Sequence, residues 1–251
     1  MSFNLCVIIP FYNHKNTIEK TLGDLLALNL YCIVIDDGSD QKTQIVLESL
    51  MNNRNNCCSY RLETNQGKGG AVMKGFEIAN EMGFSHALQV DADGQHNLQE
   101  IPAFIHAAKK HPEALICGQP IFDNSIPKHR KFSRGITHFW VGVETLTFHP
   151  IDSMCGFRVY PLRSIIAIIK QNNLGRRMNF DIEIIVRSIW SAIPIKTLPT
   201  KVIYPEDGVS HFHYWQDNLL MIKMHIKLVF GMLFRLPRFV FNQFNFKKKH
   251  V

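Results

Sequence analysis

The sequence predicts an α/β fold: a central, mostly parallel sheet flanked by helices on both faces. Three observations carry that expectation. Short β-rich runs alternate with stretches of helical spacing through the first half of the chain. Three of the runs lead into unusual polar or acidic stretches, as expected where a parallel sheet presents its carboxyl edge to a ligand. The chain has 251 residues and is 46% apolar with 20% charged residues, enough for one full core and too apolar for global disorder.

The elements follow in order. Met1 to Pro10 has no basic leader and no long apolar stretch, so Leu5–Pro10 reads as a first strand and not as a signal peptide. Further strands are expected at Tyr31–Ile35, Ser59–Leu62, His86–Val90 and Ala114–Cys117. Val72, Gly75, Phe76, Ala79 and Met82 fall at i, i+3, i+4, i+7 and i+10, the spacing of one helix face. Phe132–Phe148 and the Ile-rich Asn179–Ala192 read as helices, and Ile195–Ile203 as a strand. The expected division is a catalytic domain over residues 1–217 and a basic, apolar tail over 218–251, in which Arg235-Leu-Pro-Arg238 would break or kink a helix.

Charge is localised. Leu219 to Val251 carries Lys223, Lys227, Arg235, Arg238, Lys247, Lys248 and Lys249 without an Asp or Glu, which equals the whole net charge of +7. An anionic surface is the partner this implies, and the mixture of Leu, Ile, Met and Phe with isolated positives suits a peripheral membrane segment. No run of 18 uncharged apolar residues occurs, so no membrane span is expected. Because the rest of the chain is electrically balanced, nucleic acid is not an expected partner. The six cysteines show no C-x-x-C pairing, and four of them sit in apolar runs, pointing to buried thiols in a reducing cytoplasm.

The candidate site lies in the strand ends. The first strand leads into Pro10-Phe11-Tyr12-Asn13, the second into Asp36-Asp37-Gly38-Ser39-Asp40, and the fourth into Asp91-Ala92-Asp93-Gly94-Gln95-His96. Carboxylates gathered at one sheet edge repel one another unless a cation or a hydrogen-bonding ligand neutralises them. Asp91 and Asp93 point the same way in an extended segment, an oxygen site suited to Mg2+ or Mn2+. Either motif alone is equally a solvated turn or a helix cap. Asn65-Gln66-Gly67-Lys68-Gly69-Gly70-Ala71 opens a helix and would let backbone approach an anion. It lacks the P-loop spacing, and no G-x-G-x-x-G follows the first strand.

Together these stretches resemble family 2 glycosyltransferases with the GT-A fold, and among them the polyprenyl-phosphate sugar transferases. The likeness runs through Val7–Asn13, Val34–Ser39, Asn65–Ala71 and Val90–His96, and on through Ser133-Arg134-Gly135, Asp152–Arg158 and Phe180–Glu183. It implies a Rossmann-like, nucleotide-sugar-binding fold over roughly residues 5 to 217. By resemblance, Pro10, Tyr12, Asp36 and Asp37 lie around the nucleoside, and Lys68 lies near the nucleotide or its phosphates. Asp91, Asp93 and Gln95 hold metal and diphosphate, and Arg134 and Arg158 face phosphate on donor or acceptor. The resemblance also implies transfer with inversion from a UDP- or GDP-linked donor. His14 departs from the family pattern, in which Glu often follows Tyr-Asn, and C-terminal membrane spans are missing.

Inverting transfer needs a nucleophile behind the sugar carbon. A hydroxyl acceptor requires a general base, for which Asp152, Asp181 and Glu183 are the candidates, while a lipid phosphate is already anionic and requires cations instead. The structural alternatives are that Asp152 caps a turn, that Asp181 and Glu183 line a solvated helix face, and that the two arginines are ordinary ion-paired residues. A histidine of Ser210-His211-Phe212-His213, with His211 the candidate, would complete the metal or diphosphate site. The expected activity is sugar transfer to a membrane lipid, a polyprenyl phosphate or a glycolipid, on the cytoplasmic face and in cell-envelope glycan synthesis. A nucleotidyltransferase fits less well, since Phe11-Tyr12-Asn13-His14 stands where its basic glycine-rich loop belongs. A non-catalytic nucleotide-binding scaffold is disfavoured by the retained Asp37, Asp91 and Asp93.

Overall fold

The computed structural model describes residues 2–52, 54–121, 128–147, 151–202 and 214–248. Seven strands are present among them: β1 (Leu5–Phe11), β2 (Tyr31–Asp36), β3 (Cys57–Arg61), β4 (His86–Gln89), β5 (Leu115–Ile121), β6 (Arg158–Pro161) and β7 (Ile195–Lys201). Eight helices accompany them: α1 (Ile18–Ala27), α2 (Gln41–Met51), α3 (Lys68–Glu81), α4 (Ile101–Lys110), α5 (Lys128–Thr145), α6 (Leu162–Gln171), α7 (Asn179–Trp190) and α8 (Tyr214–Lys248). The strands form one sheet in the order β3-β2-β1-β4-β6-β5-β7.

β1 and β2 are near-continuous apolar runs because both of their faces are covered. Cys6 and Ile8 of β1, with Ile33 and Ile35 of β2, pack against Val72, Phe76 and Ala79 of α3 and Phe180 and Ile184 of α7. The alternate residues Val7, Ile9, Cys32 and Val34 turn to the other face, against Ile18, Leu22 and Leu25 of α1 and Phe104 of α4. The period of two in the strands thus builds a three-layer sandwich. Parallel pairing of β1 with both β2 and β4 sets Phe11 beside Asp36 and brings Ile8 level with Gln89, so the acidic motifs open at the same edge.

Two features differ from the sequence expectation. β6 and α6 were not foreseen, and β6 runs antiparallel to both β4 and β5. Four residues bounded by Arg158 and Pro161 carry too little periodicity to announce a strand. Their burial comes from the layers on either face, Tyr160 against Phe76 of α3 and Val159 in the cluster that holds Phe104 of α4. Residue 217, the expected boundary, also falls inside a helix: α8 starts at Tyr214 and runs on past Pro237. Its Met224 and Leu228 pack with Val141 of α5 and with Ile182 and Val186 of α7, so the first part of the tail is an integral layer. No helix among the described residues is long and apolar enough to cross a membrane.

Close approach of α3 to the sheet depends on Gly75. A Cβ there would collide with Cγ2 of Ile8 and press on Ile35. Gly75→Ala should therefore destabilise the fold by about 1–3 kcal/mol through overpacking, despite the better helix propensity of Ala. Urea denaturation measures this, and an unchanged or raised midpoint would contradict the packing described.

Candidate active site

The loops after β1 and β2 form one hydrogen-bonded rim. Asn13, held at a φ of 56°, donates its N–H to Ser39 Oγ at 3.0 Å, and its Oδ1 accepts from Asp40 N at 2.9 Å. Asp37 N donates to Phe11 O at 2.8 Å. Pro10 is buried and Tyr12 half-buried on this rim. The nucleoside-side residues expected from sequence are therefore together.

Asp36 and Asp37 are both buried and bonded within the protein. Asp36 is 1% exposed, ion-pairs with Arg61 of β3, and accepts from Ser39 N at 2.9 Å. Asp37 accepts from Gln66 N at 2.7 Å and Gly67 N at 2.8 Å. Burial pushes the Asp37 carboxyl above its ordinary range, and these two N–H groups oppose that rise. Asp37 holds the glycine-rich loop in place, while Asp36 fixes the turn at Ser39 to β3. Gly67 adopts a φ of 88°, and a Cβ there would stand 2.7 Å from Arg176 O, so both conformation and space require glycine.

That clamp aims the next residue. Lys68, the first residue of α3, reaches Asp91 Oδ2 at 2.7 Å and Asp181 Oδ2 at 2.9 Å. A contiguous chain of contacts thus joins Asp37, Gly67, Lys68 and Asp91, linking three motifs that lie apart in sequence. Gln89 Nε2 approaches Asp91 Oδ1 at 3.3 Å and Asp181 Oδ1 at 3.4 Å, while its Oε1 accepts from Tyr160 OH at 3.1 Å. Burial works against ionisation of Asp91, but Lys68 and His96 outweigh it and hold its carboxyl well below the usual range. Burial likewise disfavours a charged Lys68, and Asp181 and Asp91 overcome it, raising the ammonium's pKa.

Arg158 lies elsewhere than the resemblance implies. It is fully buried, donating to Asp181 O at 2.7 Å and Ser153 O at 2.8 Å, and so braces α7 from inside without facing the cleft. Arg134 is partly exposed, with 18% of its side chain accessible, and pairs with Asp152. Asp152 is itself fully buried, and its Oδ1 accepts from Met154 N at 2.9 Å and Cys155 N at 2.8 Å, the turn-capping arrangement. Burial would raise its pKa, but His138, Arg134 and the backbone N–H groups bring it down to about 2. Glu183 accepts from Gly175 N at 2.8 Å and pairs with Arg187 at 2.7 Å and Lys227 at 3.0 Å. Asp181 and Glu183 are 4% and 1% exposed, so the solvated-face alternative is excluded. His211 lies outside the described residues.

Asp93 sits on the turn after β4 and accepts from Gln95 N through Oδ1 at 3.0 Å. Among the described residues no three His, Cys, Asp or Glu side chains converge as a metal cage. Mg2+ commonly takes one or two carboxylates and completes its shell with water and substrate phosphate oxygens. Asp91, Asp93 and the Gln95 amide supply an all-oxygen set of that kind beside the only partly covered Asp91 carboxylate, which is 20% exposed. By donor chemistry these oxygens suit such a cation, although Asp91 Oδ2 is already paired with Lys68. Two neighbours escaped the sequence reading. His96 is 9% exposed, stacks on Phe157 at 5.0 Å, and has neither ring nitrogen hydrogen-bonded, with Nε2 at 3.5 Å from Asp91 Oδ2. Gly156 faces the charge cluster: a Cβ there would lie 2.7 Å from Lys68 Nζ and 3.0 Å from Asp91 Oδ2. Both belong to motifs visible in the sequence, but only the fold shows what they touch.

Two outcomes follow from this geometry. The Asp152 pKa, lowered from 3.8 to about 2, contributes roughly 2 kcal/mol of stability that is complete above the ordinary carboxyl pKa and lost as pH falls through the folded value. Urea melts between about pH 5 and pH 2 should show this loss in the wild type, and Asp152→Asn should lack that portion of the pH dependence. Gly156→Ala should displace Lys68 from Asp91. A thermal shift induced by a nucleotide diphosphate that is the same in this variant and in the wild type would show that the space is not critical.

The family model for glycosyl transferase family 2 matches residues 6–166. The dolichyl-phosphate beta-glucosyltransferase of Dictyostelium discoideum is 28% identical over 250 residues, covering 91% of this chain and 75% of that protein. The UDP-N-acetylglucosamine--dolichyl-phosphate N-acetylglucosaminyltransferase of Methanococcus voltae is 26% identical, covering 81% of this chain and 87% of that one. Among solved structures, S. aureus TarS 1-349 in complex with UDP-GlcNAc superposes with a TM-score of 0.56 at 17% identity, over 90% of this chain and 66% of that one, a likeness of fold. The matched segment takes in the rim, the glycine-rich loop and the Lys68–Asp91 contact, and on that ground the chain belongs to glycosyl transferase family 2.

Proposed function

We propose that this enzyme transfers a sugar, with inversion, from a nucleotide-activated donor to the phosphate of a polyprenyl lipid at a membrane surface. The donor nucleotide rests on the rim of Pro10, Tyr12, Asp36 and Asp37, with its diphosphate toward Lys68, Asp91 and Asp93. Asp91, Asp93 and Gln95 would hold Mg2+ or Mn2+, which would supply charge neutralisation for the diphosphate.

The observation that carries the acceptor assignment is the state of the three candidate bases. Asp152 is paired with Arg134, Asp181 with Lys68, and Glu183 with Arg187 and Lys227. A general base must have a lone pair within hydrogen-bond reach of the proton it removes. Each of these carboxylates is buried and already engaged with a cation. A hydroxyl acceptor is poorly served by such a site. A lipid phosphate brings its own negative charge and needs only positioning, for which the partly exposed Arg134 of α5 is a candidate. The dolichyl-phosphate acceptors in the names of the two relatives support the same reading.

The test is direct. Purified enzyme is incubated with UDP-glucose, UDP-N-acetylglucosamine or GDP-mannose, a polyprenyl phosphate and Mn2+, and the lipid phase is assayed for sugar. Transfer to the phosphate should occur with one donor and cease in chelator. Asp91→Ala should lower kcat/KM by about 100-fold or more, the scale of losing a charge-stabilising group at a reacting centre. Undiminished transfer in chelator would remove the metal from this account, and transfer confined to hydroxyl acceptors would overturn the acceptor assignment.

A further inference from the structure

The inner face of α8 carries Met224 and Leu228 into the protein, and its opposite face remains apolar. Leu219, Ile222, Ile226, Phe230 and Phe234 are between 52% and 85% exposed. At 3.6 residues per turn they fall along one side of the helix. The face continues onto α5. His225, next to this stripe on the helix, pairs with the buried Glu144 of α5 at 2.6 Å. The Trp140 ring lies 6.3 Å from the His225 ring, and the exposed Phe139 lies 5.7 Å from Trp140. Contiguous exposed apolar surface of this extent marks an interaction site.

We propose that the α5–α8 face docks on an anionic lipid surface, lying in the plane of the headgroups. The proposal rests on the acceptor reading above and deepens it by naming the surface that meets the lipid.

Charge selects this occupant. Lys223 lies beside the apolar stripe, and the chain from Leu219 to Val251 carries seven Lys or Arg, of which Lys227 is turned to Glu183, and no Asp or Glu. Apolar insertion with a basic border is the arrangement of interfacial helices. A second copy presenting the same face would bring like charges together, which opposes self-association. No described helix is long and apolar enough to span a bilayer, so the face would lie on the membrane. The position is also functional: Arg134 precedes Trp140 by six residues on α5, roughly 9 Å along the axis, so docking brings the acceptor side of the site to the headgroup level.

The experiment uses the full chain, the double variant Ile226→Asp/Phe230→Asp and the variant Lys223→Glu. Co-sedimentation is measured with vesicles of phosphatidylcholine alone and of equimolar phosphatidylcholine and phosphatidylglycerol. The wild type should pellet with the anionic vesicles, less so at high salt. The double variant should partition at least about tenfold more weakly, and Lys223→Glu should reduce binding by a smaller factor. Both variants should keep the wild-type melting temperature and nucleotide-induced thermal shift. The double variant should still glycosylate a short, water-soluble isoprenyl phosphate while losing transfer to vesicle-embedded acceptor. Vesicle binding by a wild type that transfers to neither acceptor would sink the acceptor reading and leave the docking face standing. Wild type that stays in the supernatant, or a lipid-free dimer that the double variant dissociates, would overturn the proposal.

Discussion

Lys68 joins two carboxylates that have no other reason to share a buried space. Asp91 follows β4 and Asp181 lies in the first turn of α7, and the ammonium sits between them at 2.7 and 2.9 Å. Two acids so placed would repel each other and resist ionisation in a poorly solvated site. A single cation makes the cluster tenable, and much of the local chain serves to place it. Asp37 clamps Gln66 and Gly67, the glycine lets the loop turn, and Gly156 leaves the room that Lys68 and Asp91 occupy.

The same economy of charge runs through the rest of the site. Asp152, Asp181 and Glu183 each meet a cation, so the acidic groups shape the cleft and leave no free base among themselves. Arg158 spends its guanidinium on the carbonyls of Asp181 and Ser153, fixing the start of α7 against β6. Burying a guanidinium is costly unless its N–H groups are satisfied; the two carbonyls serve the terminal nitrogens, and Nε has no partner among the described residues. Removing such a residue would disturb Asp181, and through it Lys68, without touching any ligand.

The helical layer of α5, α7 and α8 extends this organisation outward. Val141, Val186 and Leu228 seal the layer to the body, while Lys227 reaches from α8 to Glu183 of α7 and ties the outer helix to the site's own charge network. A helix that a charge pattern alone would place as a loose tail is therefore coupled to the residues around the cleft.

Much was legible in the chain itself. Apolar runs at Leu5–Pro10, Tyr31–Ile35 and His86–Val90 specified strands, and the residues following them marked the carboxyl edge of the sheet. Strand and helix periods and the spacing of Asp36-Asp37, Asn65–Ala71 and Asp91–His96 are local properties, readable without knowing what lies across the fold. The antiparallel β6, the passage of α8 through Pro237, the retreat of Arg158 into the core and the pairing of every candidate base were decided only by tertiary structure. Each depends on a partner far away in sequence. A carboxylate's chemistry is set by the nearest cation and by the water it has lost, and neither is written in the residues beside it.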